Sequence, residues 1–361
     1  VQLTPLLVRS GPDVVPVKGS DGRYHLLWEV PLQNGTSLQL TVTGIEIEGD
    51  GSILHAMDQA EIARSVEVIG TRRADPVVGP AQGALVFLTL AFDARADLPR
   101  RLTHRVTVAA DRLPAPITTR GGEVAVDTDA LVPILGPPLE AGRSYIAADG
   151  CCRSVRHIRA PLPLNNDLWF AQRFAIDWEQ VDARGAFVVG DASNPRNYIV
   201  YGKQVLAPAD GQVILVRDGL EDQVPGQLPG TALPLDEVDG NSVVIDIGDG
   251  LFTLSGHMQK GSLRVNVGDR VHRGQPIGLV GNTGNSSAPH LHFHVMDGPS
   301  PLTSNGRPYV IDSFSIVGRG VSTAEFDRVE NTEEPLAIVP PEGEPRRTNA
   351  LPLDLLILNF D

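Results

Sequence analysis

The sequence predicts a mainly β protein in two domains, an N-terminal β-sandwich and a second, antiparallel β domain that carries the chemistry. Glycine (37) and proline (29) are abundant in the 361 residues, which favours many short strands and turns over long helices. Apolar and polar residues alternate with period 2 over several stretches, the spacing of half-buried strands. Turn dipeptides such as Asn34-Gly35 punctuate those stretches.

Residues 1–130 form the predicted sandwich. "TSLQLTVTGIEIEG" sets Leu38, Leu40 and Val42 against Gln39 and Thr41. "GALVFLTLAF" and "LTHRVTVAA" add strands, and only "ILHAMDQAEIARSV" suggests a helix. Strands at such short spacing point to two packed sheets. His25 and His104 fall inside strands and are expected to be structural, and His55 has no evident partner. The Pro/Gly-rich stretch 131–167 reads as a linker. It holds the only cysteines, Cys151 and Cys152, adjacent in sequence. Neighbouring cysteines rarely meet disulfide geometry, so an unbonded, buried pair is expected. Residues 168–317 return to the strand–turn–strand pattern and form the second domain. The tail, 318–361, begins polar and irregular. Its last apolar segment, 351–360, is expected to pair as a strand with the N-terminal domain.

Composition excludes several functions. A net charge of -14 and 5% aromatic residues argue against a nucleic-acid partner, which needs a basic footprint. No run of about 18 apolar residues exists to span a membrane. The start at Val1 is compatible with a trimmed export signal.

The chemistry concentrates in "APHLHFHVMDG", where His290, His292 and His294 alternate with Leu291, Phe293 and Val295. On a strand the three imidazoles share one face. A face made only of imidazoles is a poor core and an unusual solvent face, which suggests metal or acid–base chemistry. "RFAIDW" adds Asp177, and "LSGHM" adds His257. A catalytic zinc takes three ligands from His and Asp/Glu and keeps a position open for water. Peptide hydrolysis further needs a base and an oxyanion donor, roles that other histidines can fill.

"VLAPADGQV" followed by "GDRVHRGQPIGLVGNTGNSSAPHLHFHV" resembles the lysostaphin-type peptidoglycan endopeptidases, a family of zinc metallopeptidases. The resemblance covers about 168–298. It implies a lysostaphin-like antiparallel β domain with a groove, one Zn2+ per chain, and a peptidoglycan peptide as substrate outside the cytoplasm. By that resemblance Asp177 and His292 are metal ligands, while His257 and His290 activate water and stabilise the oxyanion. The family's first ligand, a histidine four residues before the aspartate, is replaced here by Arg173. Guanidinium is always protonated and cannot bind a metal. Either His294 or His157 supplies the third ligand, or two ligands hold a metal weakly, or Arg173 pairs Asp177 in a metal-free site. His294 is alternatively a groove or exposed residue. Tyr201 is a candidate groove residue, His272 is expected in solvent, and Asn241 to fix a turn. The rival to a metalloendopeptidase is a metal-free module that binds wall or activates another hydrolase.

Overall fold

The computed structural model describes residues 3–361 apart from Arg72, Arg153 and Glu342. It divides into two compact units: the chain up to Val17 with Gly22–Leu131, and Lys18–Asp21 with Val132–Asp361. The fold is mainly β, and the two α-helices among the described residues, Gln59–Ser65 and Thr323–Val329, have seven residues each.

In the first unit two sheets share one core. Leu26, Trp28, Val30 and Leu32 are alternate residues of the strand Tyr24–Asn34. They pack with Leu40, Val42, Ile45 and Ile47 of the strand Leu40–Gly49. The inward phase of that second strand changes from even to odd numbers because a bulge lies between Val42 and Gly44. One extra residue reverses the faces of everything that follows it.

The second unit is built on one thirteen-stranded sheet, antiparallel except where Ile134–Leu135 pairs. Eight of its strands are β1 (Gly142–Ala148), β2 (Ile176–Gln180), β3 (Gly211–Arg217), β4 (Asn241–Gly248), β5 (Leu251–Met258), β6 (Leu291–Met296), β7 (Val310–Gly320) and β8 (Leu356–Phe360). Their spatial order is β7-β8-β1-β2-β6-β5-β4-β3. β6 is buried at every position, as a strand covered on both faces must be. On one face Ile146, Ala148, Phe187 and Ile357 pack with Phe326 and Val329 of the helix α1 (Thr323–Val329). Phe187 and Phe326 meet edge to face, with ring centres 5.3 Å apart.

Three expectations about the chain's organisation are corrected. The stretch 131–167 is not a linker, because it contains β1, which bonds to β2 and β8. The polar part of the tail, expected to be irregular, is only partly so: it holds α1 and two short strands, Ile338–Val339 and Arg346–Ala350, that pair with β7. The final apolar segment joins the second unit, not the N-terminal one. β1 otherwise ends in an unpaired edge of N–H and C=O groups, and β8 fills it with Ile357 and Leu358 fully buried. Cys151 and Cys152, expected to be unbonded, are joined by a disulfide in the turn after β1.

Candidate metal centre

Strand register assembles the site. Asp177 on β2 stands directly opposite His292 on β6, and His292 has Gly256 of β5 on its other side. Direct cross-strand neighbours on one face bring their side chains into contact, and the His292 Nδ1–Asp177 Oδ1 distance is 2.8 Å. A Cβ at Gly256 would lie 3.0 Å from the Asp239 carbonyl and 3.6 Å from His292 Cβ, so the small residue leaves His292 its place. The next residue, His257, has φ 58°, a left-handed turn of backbone that ends the regular course of β5. His290 enters one residue ahead of β6, with its Nε2 3.4 Å from Asp177 Oδ1.

A fourth imidazole arrives from the loop after β1. His157 Nε2 lies 3.2 Å from Asp177 Oδ2. Three imidazoles therefore surround a single carboxylate. His257 stands beside them, its ring centre 4.7 Å from that of His290 and 5.8 Å from that of His292.

Backbone carbonyls fix which ring nitrogen each histidine presents. His157 Nδ1 faces the Asp149 carbonyl at 2.9 Å, His257 Nδ1 the Thr283 carbonyl at 2.7 Å, and His290 Nδ1 the Ala288 carbonyl at 2.8 Å. A carbonyl can only accept, so each Nδ1 carries a hydrogen and Nε2 is left for chemistry. These capping groups belong to the main chain and have no side-chain signature in sequence. Glu179 was also missed. It lies two residues beyond Asp177, and burial together with the Glu330 carboxylate pushes it well above the usual carboxylate range.

The charge pattern follows from burial and that single anion. Burial opposes the charged form of Asp177, yet His157 and His290 outweigh it and hold the carboxyl well below its ordinary value. Burial pushes His157 down, but Asp177 and the Asp149 carbonyl outweigh it and hold the ring at about 9. His290 is likewise raised by Asp177 against burial. His257 is held well below the ordinary histidine value, by burial and then by His290 and His292.

Two overlapping sets could hold a metal: His157, Asp177 and His292, or His257, His290 and His292. In each, the ligand atoms lie within 4.8 Å of one another. Arg173 does not fill the gap between Asp177 and His292, whose atoms are in direct contact. Its guanidinium donates to the Gly306 carbonyl at 3.3 Å and lies over the Phe170 ring. His294 is not a groove-rim or exposed residue, being 1% exposed. Its Nδ1 meets His292 Nε2 at 3.0 Å, so it orients His292 from behind. Tyr201 turns its hydroxyl to Asp222, at 2.6 Å. His272 is exposed. Asn241 donates to the Leu220 and Met258 carbonyls and so fixes a turn.

Known proteins match part of this architecture. The family model described as Peptidase family M23 matches residues 198–304, which include His257, His290 and His292 but not His157 or Asp177. The chain is 42% identical over 65 residues to the peptidoglycan DD-endopeptidase ShyA of Vibrio cholerae, a match covering 18% of this chain and 15% of that protein. It is 37% identical over 94 residues to the murein hydrolase activator EnvC of Escherichia coli, covering 26% of this chain and 18% of the relative. The chain thus spans less than a fifth of either relative's length. Among solved structures, the catalytic domain of lysostaphin from Staphylococcus simulans aligns over 46% of this chain and 88% of its own, with 22% identity and a TM-score of 0.25. Residues 198–304 of this chain are a domain of peptidase family M23, of the lysostaphin type.

Proposed function

We propose that this protein is a zinc-dependent endopeptidase that cuts peptide cross-links of bacterial peptidoglycan. In this reading Asp177 and His292 hold the metal, and His257 and His290 serve the reacting groups. One observation carries the reading: nitrogens of His157, His290 and His292 all lie within 3.4 Å of the Asp177 carboxylate. His157 and His290 face an acceptor at both ring nitrogens, so each must hold a second proton or give its Nε2 to a cation. A divalent ion satisfies a carboxylate and several imidazoles at once, and the donor set therefore fits zinc.

Zinc, when bound, would polarise the scissile carbonyl and acidify a water. The remaining work falls to the chain. His257, held neutral chiefly by burial, offers Nε2 as an acceptor for a proton of the attacking water. His290 keeps its proton more firmly, beside Asp177, and can donate to the oxyanion that develops on the carbonyl. Environments that push two imidazoles apart in basicity assign one to each task. The substrate places the working site outside the cytoplasm, and no described helix is long and apolar enough to cross a membrane.

Arg173, standing where the family has a ligand histidine, favours a second reading. There the protein is a metal-free module that binds wall or activates another hydrolase, as the name of the EnvC relative suggests. Protein purified without chelator decides between them. The endopeptidase reading expects one zinc per chain and new amino termini released from purified peptidoglycan, lost on chelation and restored by zinc. Wall binding without zinc or cleavage, unchanged in His292→Ala, supports the module.

A further inference from the structure

We propose that His157 is the third metal ligand, supplied by the loop after β1 in place of the donor that Arg173 cannot provide. The inference rests on the metal-dependent reading above and names the residue that completes it.

Position comes first. His157 Nε2 is 3.2 Å from Asp177 Oδ2, on the opposite carboxylate oxygen from the one that faces His290 and His292. The ligand atoms of His157, Asp177 and His292 lie within 4.8 Å of one another, which suits three corners around one ion at bond lengths of about 2.0–2.2 Å. The competing set of His257, His290 and His292 contains no anion. A divalent cation placed there would leave the Asp177 carboxylate beside it as a spectator, whereas the set with His157 uses that charge directly. Neither Arg173 nor His294 competes for the corner. Guanidinium has no lone pair to give and Arg173 donates to the Gly306 carbonyl, while His294 belongs to neither ligand set and turns its Nδ1 to His292.

Orientation comes second, because a ligand on a loop must be held. The Asp149 carbonyl fixes the hydrogen of His157 on Nδ1 and so presents Nε2. Asp149 adopts φ 54°, and its carboxylate takes hydrogen bonds from Ser154 Oγ and Arg156, both at 2.8 Å. Arg156 reaches on to Asp327 of α1. The Cys151 carbonyl accepts from the Asp354 N–H at 3.0 Å, which ties the disulfide turn to the segment leading into β8. The His157 side chain is 8% exposed, and its ring meets that of His292 edge to face, at 4.9 Å between centres. The chain has thus built a preorganised imidazole at the vacant side of the carboxylate, from a segment that precedes the family match.

The test uses the full chain and zinc itself. Zinc affinity is measured by competition with a chromophoric chelator for the parent, His157→Gln and His157→Ala, with circular dichroism to show that each folds. Cobalt(II) is then substituted and its visible absorption recorded. A lost ligand weakens zinc binding by more than about 100-fold, beyond the 10–100-fold of a partner that only orients a ligand, and changes the cobalt spectrum. Independently of any variant, the imidazole 15N resonance of His157 Nε2 in the parent shifts when zinc is added. If zinc affinity in both variants stays within 100-fold of the parent and the cobalt spectrum is unchanged, His157 is not a ligand. Zinc that leaves the His157 Nε2 resonance in place has the same meaning. Either of these results overturns the assignment while the metal-dependent reading stands. Failure of the parent to bind zinc removes both.

Discussion

His104 and His157 are both buried imidazoles, and their surroundings send them in opposite directions. His104 Nε2 accepts the indole N–H of Trp28 at 3.0 Å, and its Nδ1 donates to the Gly122 carbonyl at 2.8 Å, so the ring is neutral. Burial outweighs the backbone contacts and lowers it to about 4. His157 has a carboxylate where His104 has an indole, and it is held at about 9. Nothing in "LTHRVT" or "VRHIRA" announces that difference, because the deciding partners lie 76 residues away in one case and 20 in the other. The sequence did suggest a structural role for His104 and offered His157 among several candidates. Folding supplied the partners. As pH falls, the unfolded chain protonates His104 near 6.5 while the folded chain resists until about 4, so stability drops across that window. The loss should reach about 3 kcal/mol by the lower end. Urea midpoints of the first unit's transition at pH 7 and pH 4.5 will show it, and His104→Gln should flatten the difference.

The strand β6 was the most legible element, since alternation alone puts His290, His292 and His294 on one side. What it left open was register. That Asp177 faces His292 rather than His294 depends on pairing between β2 and β6, which no local pattern specifies. Arg173 was legible as a departure, but its escape to Gly306 was not. The turn at Thr283–Gly284 shows a similar limit. Gly284 has φ 77°, and a Cβ there would lie 2.4 Å from the Gly240 backbone nitrogen. Gly240 Cα and the Val238 carbonyl oxygen crowd it as well, at 2.6 and 2.7 Å, and all three are backbone atoms that cannot step aside. Thr283 in turn caps His257 through its carbonyl, accepts from the Asn241 N–H and donates to the Met258 carbonyl. Gly284→Ala is therefore expected to cost about 2 kcal/mol or more in chemical denaturation. Because the Thr283 carbonyl must move, the proposed endopeptidase function expects peptidoglycan cleavage measured well below the melting transition to fall at least tenfold as well, a drop stability alone would not cause.

Across the molecule, composition and turn chemistry fix the class, a mainly β chain with an N-terminal sandwich, while the allotment of strands to units escapes them. The apolar run ending at Phe360 was visible as something that must be buried, yet either unit offered a home. The decision belongs to β1, whose free edge β8 completes, and to the aromatic contacts of Phe360 with Tyr145 and Trp178. Ending the chain after Arg347 would strip β1 and β7 of their shared neighbour. Such a truncation is expected to abolish the second unit's cooperative melting and, under the proposed zinc-dependent function, its zinc uptake, while the first unit's transition survives in calorimetry. Synthesis runs from the other end, and this gives the arrangement a temporal meaning. Every side chain of the centre has been translated by His292, but the sheet that aligns Asp177 with it is still missing a rib. A ribosome-bound chain therefore carries every candidate ligand of the centre before β8 pairs with β1, and the geometry around Asp177 is expected to be set only once β8 has docked.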